Sequence, residues 1–293
     1  MKALETKSPV LLQHHLKALK LPTVAAECAK VAAQCATDAV DYLGFLLRCS
    51  ELELLDRERR AKIRRLKAAK FPTTKTLETF DFAAVPSLNR AKVQELLRGE
   101  YLERRENVLL LGPPGTGKTH LATALAVAAC GQGRRVRFWR VTELVTALLE
   151  ARDARQLQRL KQGLTKLDLL VCDELGYVPT STVGAELLFD VLSQAYERTS
   201  VCVTSNLPFE EWTSVLGSER LTGATLDRLT HRCHILELNG ESYRVREARR
   251  RSRRRPRGGG DPEPAADAAK EDESTDAKPP DEGLTDSPGA VTL

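Results

Sequence analysis

The sequence contains no apolar run that approaches the roughly 18 to 20 residues needed to span a membrane. Its N-terminal segment, MKALETKSPVLLQHH, also lacks the long apolar core and small-residue cleavage site of a secretory signal peptide. The seven cysteines are odd in number and include no CxxC pair, which argues against a disulfide framework and a zinc ribbon. We therefore expect a cytoplasmic protein with no membrane partner, whose cysteines are reduced thiols that bind no metal.

A large excess of charge of one sign is also absent, because 45 Lys and Arg stand against 40 Asp and Glu, a formal charge of +5. This small excess does not by itself indicate a nucleic-acid partner. The charge is unevenly distributed: residues 249–257 include seven arginines, and residues 258–293 hold 10 acidic and 2 basic residues. The first 248 residues therefore carry 36 basic and 30 acidic side chains, so the acidic tail masks a basic body.

Composition and periodicity divide the chain into four parts. Residues 1–70 are predicted to form a helical N-terminal domain, and residues 71–106 a linker that docks on the next domain. Residues 107–247 are predicted to form an α/β core. Residues 248–293 are Arg-rich and then rich in Pro, Ala, Gly, Asp and Glu, so they cannot bury a core and are predicted to be disordered.

The third N-terminal helix is predicted to run from Val40 to Lys70, and its second half is strongly basic. The segment RERRAKIRRLKAAK, residues 57–70, contains eight basic residues and one acidic residue. Two interpretations of it remain open from composition alone. The segment is either a solvated helix face or a surface that contacts phosphates.

From position 107 onward, apolar runs alternate with helical segments at intervals of about 30 residues. The runs are NVLLLG, RRVRFWRV, LDLLVCDE, SVCVTSN and HILELN. Such alternation predicts a parallel sheet with helices on both faces. Because ligands of these sheets bind at the carboxyl ends of the strands, we expect chemistry directly after each run.

Directly after the first run, the sequence contains a complete GxxxxGK[ST] motif that leads into the helix HLATALAVAAC. Glycines allow the backbone to wrap a phosphate chain with its N–H groups, and the helix N-terminus adds a positive dipole. Lys118 can reach the terminal phosphates, and Thr119 can offer its hydroxyl to Mg²⁺. The residues of this predicted phosphate-binding loop are Gly112, Pro113, Pro114, Gly115, Thr116, Gly117, Lys118 and Thr119.

The third run ends in two adjacent carboxylates, Asp173 and Glu174. Two such groups repel each other and are costly to bury without a cation, which Mg²⁺ supplies. Asp173 is predicted to hold the metal, and Glu174 to activate a water molecule for attack on the γ-phosphate.

Further polar residues follow the remaining strands. Asn206, after the fourth run, is predicted to hold the attacking water; Asn206-Leu207-Pro208 is also a good turn sequence, and Asn206 can serve both roles. An arginine delivered in trans stabilises charge at a γ-phosphate, whereas most helical arginines face solvent. Spacing alone does not choose among the candidates Arg220, Arg228, Arg232 and Arg244.

These motifs together resemble the IstB-type ATP-binding proteins of insertion sequences, an AAA+ group related to bacterial replicative helicase loaders. The similar blocks are GPPGTGKTHLATALA, DELGYVP followed by GAELLFDVLSQAYERTS, TSNLPFEEW, LDRLTHRCHI and GESYR. FPTTKTLETFDF before the core and LKLPTVAAE near the start are also similar. The resemblance covers about residues 8–247 and leaves the tail outside.

The resemblance implies a P-loop AAA+ ATPase that uses ATP and Mg²⁺ and assembles as a homo-oligomer on double-stranded DNA. It implies that the protein assists a transposase encoded by the same element and helps choose the target. By position, Asn206 matches the first sensor, Arg228 in LDRL the arginine finger, and Arg244 in ESYR the second sensor. A helicase loader is the alternative, because it shares this chemistry. A small-molecule phosphoryl-transfer enzyme is the weakest hypothesis, since Glu174 and a trans-acting arginine suit hydrolysis coupled to assembly.

Overall fold

Three helices form the N-terminal part of the chain, as the apolar periodicity predicts. A computed structural model describes residues 8–177, 181–240 and 242–246, so the tail of residues 248–293 and part of the block DELGYVP lie outside the described residues. The helices are α1 (Ser8–Ala18), α2 (Pro22–Thr37) and α3 (Tyr42–Ala69). Helix α3 begins two residues later than the predicted Val40, because the Asp41 side chain caps it by accepting the N–H of Gly44 at 2.8 Å.

A buried carboxylate joins α2 to α3. Glu53 of α3 is only 3% exposed and accepts the backbone N–H groups of Thr23 and Val24 at 2.8 and 3.2 Å. These donors lie at the start of α2, where Leu21 provides no side-chain cap. Glu53 therefore caps α2 from a neighbouring helix, which fixes how the two helices pack.

Three arginines of the basic segment of α3 are occupied by contacts within the chain. Arg57 and Arg60 donate to Glu53 at 3.0 and 3.3 Å, and Arg65 donates through Nε to the carbonyl of Cys130 at 2.9 Å. Arg57 is nevertheless exposed, and Arg60 and Arg65 are partly buried, so these bonds orient the three side chains without removing them all from solvent. The exposed basic residues of the segment are Arg57, Arg59, Lys62, Arg64, Lys67 and Lys70.

The segment after α3 contains two short 3-10 turns, at Leu77–Thr79 and Phe82–Ala84. Phe80 and Val85 from this segment are buried in the core. Two further helices follow, α4 (Arg90–Leu97) and α5 (Glu100–Glu103). The linker is thus packed against the core along much of its length.

Five parallel strands form the sheet, which confirms the predicted α/β fold. The strands are β1 (Asn107–Leu111), β2 (Val136–Arg140), β3 (Leu169–Leu175), β4 (Ser200–Ser205) and β5 (Cys233–Glu237). Their order across the sheet is β2-β3-β4-β1-β5. The phosphate loop after β1 therefore lies beside the carboxyl end of β4, and β4 lies beside β3.

Helices cover both faces of the sheet. They are α6 (Lys118–Gly131), α7 (Val141–Asp153), α8 (Leu157–Leu164), α9 (Thr182–Ala195), α10 (Trp212–Leu216) and α11 (Glu219–Thr230). Successive residues of β1 point to opposite faces, so Val108 and Leu110 pack in one hydrophobic core and Leu109 in the other. Within the described ranges, no helix is both long and apolar enough to cross a membrane.

Asn107 at the start of β1 joins the sheet to α11. Its amide nitrogen donates to the carbonyl of Leu229 at 3.0 Å, and its amide oxygen accepts the N–H of Val201 at 2.9 Å. The residue is 8% exposed, so water does not readily replace these bonds. Asn107 therefore fixes the C-terminal end of α11 against β1 and β4.

Replacing Asn107 by Ala is expected to lower the free energy of unfolding by about 1 to 3 kcal/mol, because it leaves buried backbone groups of Val201 and Leu229 unpaired. Urea unfolding followed by circular dichroism measures this change. Asn239→Ala is the matched control, since Asn239 is exposed. Equal stability of the two variants would contradict the assigned role of Asn107.

Candidate functional site

The phosphate loop between β1 and α6 has a backbone that requires glycine. Gly115 has a φ of +83°, and a Cβ atom there would lie 2.1 Å from Oγ of Ser242. Gly112 has a φ of +143°, and a Cβ atom there would lie 2.4 Å from the carbonyl oxygen of Leu238. Both positions combine a left-handed backbone with close neighbours, so side chains are excluded there. The chain after β5 thus packs directly on the loop.

Lys118, the first residue of α6, lies under this loop. Its ammonium donates to the carbonyls of Gly112 and Pro113 at 2.6 and 2.7 Å. Burial lowers the pKa of Lys118 to about 8, while the negative charges of Asp173 and Glu174 oppose this shift and Arg244 adds to it. The lysine is therefore a partly desolvated cation whose protonation responds to neighbouring charge.

Two threonine hydroxyls converge on one oxygen of Asp173. Thr119 Oγ1 donates to Asp173 Oδ1 at 2.9 Å, and Thr204 Oγ1 donates to the same oxygen at 2.7 Å. Asp173 is 1% exposed, and burial raises the pKa of its carboxyl despite these two hydrogen bonds. The contact brings together the start of α6 and the ends of β3 and β4.

Glu174 projects from an irregular part of β3. Its φ is +62°, a left-handed conformation that is uncommon for a residue other than glycine, and it lies where the β3–β4 register shifts. The backbone N–H of Glu174 donates to Thr204 Oγ1 at 2.9 Å. Its carboxylate is partly exposed and lies 3.9 Å from Nε of Arg140, the last residue of β2. The bulge therefore turns Glu174 out of the strand beside a cation.

A cavity of about 960 Å³ contains most of the predicted site residues. Lys118, Thr119 and Glu174 line it, and so do Asn206 and Arg244. The structure thus brings together side chains that follow β1 and β4, one from the end of β3, and an arginine that follows β5. This arrangement matches the expectation that chemistry lies at the carboxyl ends of the strands.

Arg228 lies elsewhere in the described part of the chain. Its guanidinium stacks 4.8 Å from the centroid of the Phe189 ring and donates to the carbonyl of Ala224 at 2.9 Å. Arg220 and Arg232, the other candidates, are exposed and are also absent from the described lining of the cavity. Arg244 is the one arginine candidate that lies close to the phosphate loop of its own chain.

Sequence reasoning missed the contribution of the linker to this cavity. Phe80 lies edge-on to His120 with ring centroids 5.3 Å apart, and a Cβ atom at Gly117 would lie 3.0 Å from its ring. Lys75 and Val85 also line the cavity. The only signal in the sequence was the aromatic content of FPTTKTLETFDF, which indicated docking but not where.

The segment that follows β5 closes the other side of the cavity. The N–H of Tyr243 donates to the carbonyl of Gly115 at 3.0 Å, and Arg246 forms an ion pair with Asp81 of the linker. The phosphate loop, the linker and residues 242–246 are therefore connected to one another. A nucleotide bound in this cavity would contact all three.

The residues around Asp173 are suited to Mg²⁺. The Thr119 hydroxyl and the Asp173 carboxylate are hard oxygen donors, and the carboxylate is buried with no basic side chain bonded to it among the described residues. In the described ranges, no group of three or more His, Cys, Asp or Glu residues forms a cage for a metal ion. Mg²⁺ takes one or two protein ligands and completes its shell with phosphates and water, so the two donors fit it.

Comparison with known proteins gives a family match over most of the chain. Residues 14–251 match the family model of the IstB-like ATP binding proteins. The ATP-binding protein of insertion sequence IS21 from Pseudomonas aeruginosa is 40% identical over 80% of this chain and 89% of its own length. That of insertion sequence IS5376 from Geobacillus stearothermophilus is 38% identical over 79% of this chain and 92% of its own length.

Solved structures with similar folds are more distant. The DnaC helicase loader has a TM-score of 0.45 and 20% identity, covering 60% of this chain and 98% of that chain. The replication initiator DnaA bound to AMPPCP and single-stranded DNA has a TM-score of 0.48 and 22% identity, covering 62% of this chain and 55% of that chain.

Binding and hydrolysis of ATP are expected to separate between two variants. Lys118→Ala should lose ATP binding, because the ammonium is the cation beside the phosphate loop. Glu174→Gln should retain ATP but hydrolyse it at least about a hundredfold more slowly, as expected for loss of a general base. A filter-binding assay with labelled ATP and a phosphate-release assay measure the two quantities. Failure of Glu174→Gln to hold ATP would contradict this division of roles.

The affinity for ATP is expected to fall as the pH rises through the pKa of Lys118, about 8. Above that pH the unliganded lysine is neutral, so binding to phosphates must first protonate it. Between about pH 8 and pH 10, we expect Kd to rise by up to about tenfold per pH unit. Calorimetric titration in buffers of different ionisation enthalpy should show proton uptake. Lys118→Arg, which stays charged, should lose this pH dependence, and a flat profile for the unmodified protein would refute the argument.

Proposed function

Since the chain belongs to the IstB-like ATP-binding protein family, we propose that it is an Mg²⁺-dependent ATPase that works as a homo-oligomer on double-stranded DNA. In this proposal it assists a transposase encoded by the same element in choosing a target. The observation that carries the ATPase assignment is the convergence of Thr119 and Thr204 on Asp173 beside Lys118. The names of the insertion-sequence relatives favour this role over the alternative of a helicase loader.

The proposed roles follow from the placement of each group. Backbone N–H groups of Gly115, Thr116 and Gly117 hold the phosphates, since Pro113 and Pro114 have no N–H to donate. Lys118 exchanges its bonds to loop carbonyls for bonds to terminal phosphate oxygens. Thr119 and Asp173 hold Mg²⁺, which supplies neutralisation of phosphate charge. Glu174 accepts a proton from the attacking water, and Asn206 holds that water. Arg244 contacts the terminal phosphate as the second sensor.

The proposed role of Arg228 requires a second subunit. Its guanidinium packs on Phe189, outside the described lining of the cavity in its own chain. Helix α11 is fixed by Asn107, so Arg228 is presented from a rigid element. We assign Arg228 as a trans-acting finger that reaches the γ-phosphate bound by a neighbouring subunit. The active site is then complete only in an assembled oligomer.

DNA binding is assigned to the helical N-terminal domain, residues 1–70, with residues 71–106 linking it to the ATPase core, residues 107–247. A groove of about 1050 Å³ lies among α1, α2 and α3. Lys17, Lys20 and Arg64 line it and are exposed, whereas Arg57 and Arg60 are held there by Glu53. Exposed cations along a groove suit contacts to phosphates, which carry little base readout.

Replacing Lys17, Lys20 and Arg64 together by Gln is expected to weaken binding to duplex DNA and to reduce its salt dependence. Each lost phosphate contact should lower the slope of log K against log salt by about 0.9. Fluorescence anisotropy with labelled duplex at several salt concentrations measures both quantities. The control triple variant changes Lys30, Lys92 and Arg104, which are cations outside the described lining of the groove. Unchanged affinity and slope in the groove variant would remove DNA binding from this surface.

ATP hydrolysis is expected to recover when two inactive variants are mixed. Arg228→Ala provides an intact nucleotide cavity, and Lys118→Ala provides an intact finger. Random assembly of equal amounts should restore about a quarter of the unmodified rate, because one interface in four pairs the two intact parts. Phosphate release with and without duplex DNA measures this recovery. A full rate for Arg228→Ala alone would move the finger to Arg220 or Arg232.

A further inference from the structure

A third large cavity lies at the edge of the sheet, and its described lining shares no residue with that of the nucleotide cavity. Its volume is about 890 Å³. Four elements border it: the end of α3, the edge strand β2, the second half of α7, and α8. We call this cavity the β2 groove. The ATPase site described above does not use it.

The floor of the β2 groove is apolar and has room for an inserted side chain. Ala147 and Ala151 line it, four residues apart on one side of α7, and so does Ala154, which directly follows the helix. Gly163 of α8 lines it as well, and a Cβ atom there would meet no atom within 4 Å. Small residues on two facing helices therefore leave an apolar recess open to solvent.

The walls of the β2 groove are basic. Arg159 and Lys166 are exposed and have no ion pair within the described part of the chain. Arg137 stacks 4.7 Å from the centroid of the Trp139 ring and donates to the carbonyl of Ala68 at 3.1 Å. The described lining includes one carboxylate, that of Glu150.

Arg137 differs from Arg159 and Lys166 in that it is partly buried. No carboxylate among the described residues pairs with it. Burial lowers the pKa of its guanidinium. A partly buried cation without a counter-charge is costly, and an incoming carboxylate offsets that cost. The groove therefore combines a recess for an apolar group with cations that lack anions.

We propose that the β2 groove is the docking site for an acidic segment of a protein partner, whose apolar side chain enters the recess beside Ala151 and Gly163. Carboxylates of the same segment pair with Arg137, Arg159 and Lys166. A protein segment suits the groove better than nucleic acid does. The guanidinium of Arg137 covers a face of the Trp139 indole that a base would need for stacking.

The test uses a fluorescein-labelled amphipathic peptide of glutamate and leucine, added to the full chain and followed by fluorescence anisotropy. Saturable binding is expected. A peptide with serine in place of leucine, and one with lysine in place of glutamate, should each bind at least about tenfold more weakly, since each lacks one of the two required features. Equal binding of all three peptides would overturn the proposal.

Two variants of the protein test the apolar recess and the basic side chains separately. Gly163→Leu fills the recess, and its matched control is Gly223→Leu, a helical glycine that also has no neighbour within 4 Å of a Cβ atom. The double reversal of Arg159 and Lys166 to Glu has as its control the reversal of Lys30 and Lys92 to Glu. Each groove variant should weaken peptide binding at least about tenfold, whereas the controls should not. Unchanged thermal unfolding and ATP binding verify that the variants fold.

Tryptophan emission provides an independent reading of where the peptide binds. Trp212 is the only other tryptophan of the chain, so Trp212→Phe leaves Trp139 as the sole emitter. Peptide binding should shift this emission, and it should leave the emission of Trp139→Phe protein unchanged. If Trp139 does not respond, the peptide binds elsewhere and the proposal is wrong. If the groove variants abolish binding of labelled oligothymidylate and not of the peptide, the groove is a nucleic-acid surface instead.

Discussion

The nucleotide cavity depends on one carboxylate oxygen. Asp173 Oδ1 accepts hydrogen bonds from Thr119 and Thr204, so the strand that carries the acidic pair is tied to the helix that carries the phosphate loop. The same Thr204 hydroxyl accepts the N–H of Glu174 and thereby sets the bulge that turns Glu174 outward. A substitution at Asp173 would therefore disturb both the predicted metal ligands and the predicted base. Burial of this carboxylate makes the arrangement costly without a cation, which is why the geometry suits nucleotide bound with Mg²⁺.

Cationic side chains of this protein lie in three different environments. In α3, Glu53 pairs with Arg57 and Arg60. These arginines also donate to the carbonyl of Lys20 and the hydroxyl of Thr23, which connects α3 to the start of α2. At the phosphate loop, Lys118 is desolvated and close to acidic groups, so its charge is available to phosphate. At the β2 groove, Arg137 is partly buried with no carboxylate partner in the described residues. The net charge of +5 is a sum over the whole chain, so it does not distinguish these three environments.

The division of the active site among elements explains why assembly and hydrolysis are linked in the proposed function. One chain places Lys118, Thr119 and Glu174 around the cavity, with the linker and the turn after β5 closing it. The side chain of Arg228 on α11 is positioned by its contact with Phe189. The helix itself is anchored through the hydrogen bond between Asn107 and Leu229. A rigid helix that presents an arginine away from its own cavity is suited to a site on another subunit. In the proposed function, a subunit therefore hydrolyses ATP only when a neighbouring subunit supplies Arg228.

The sequence by itself determined the succession of strands and helices in the core, the phosphate loop and the acidic pair near the end of β3. Each of these is a local pattern of apolar spacing, glycine and charge. It also placed Asn206 and Arg244 at the ends of segments, where the structure brings them to the cavity. The tertiary structure alone decided that Phe80 packs beside Gly117 and His120, and that Arg65 binds the carbonyl of Cys130. It likewise decided that Arg228 stacks on Phe189. These contacts join residues far apart in the chain, so composition and periodicity, which register only neighbours in sequence, carry no information about them.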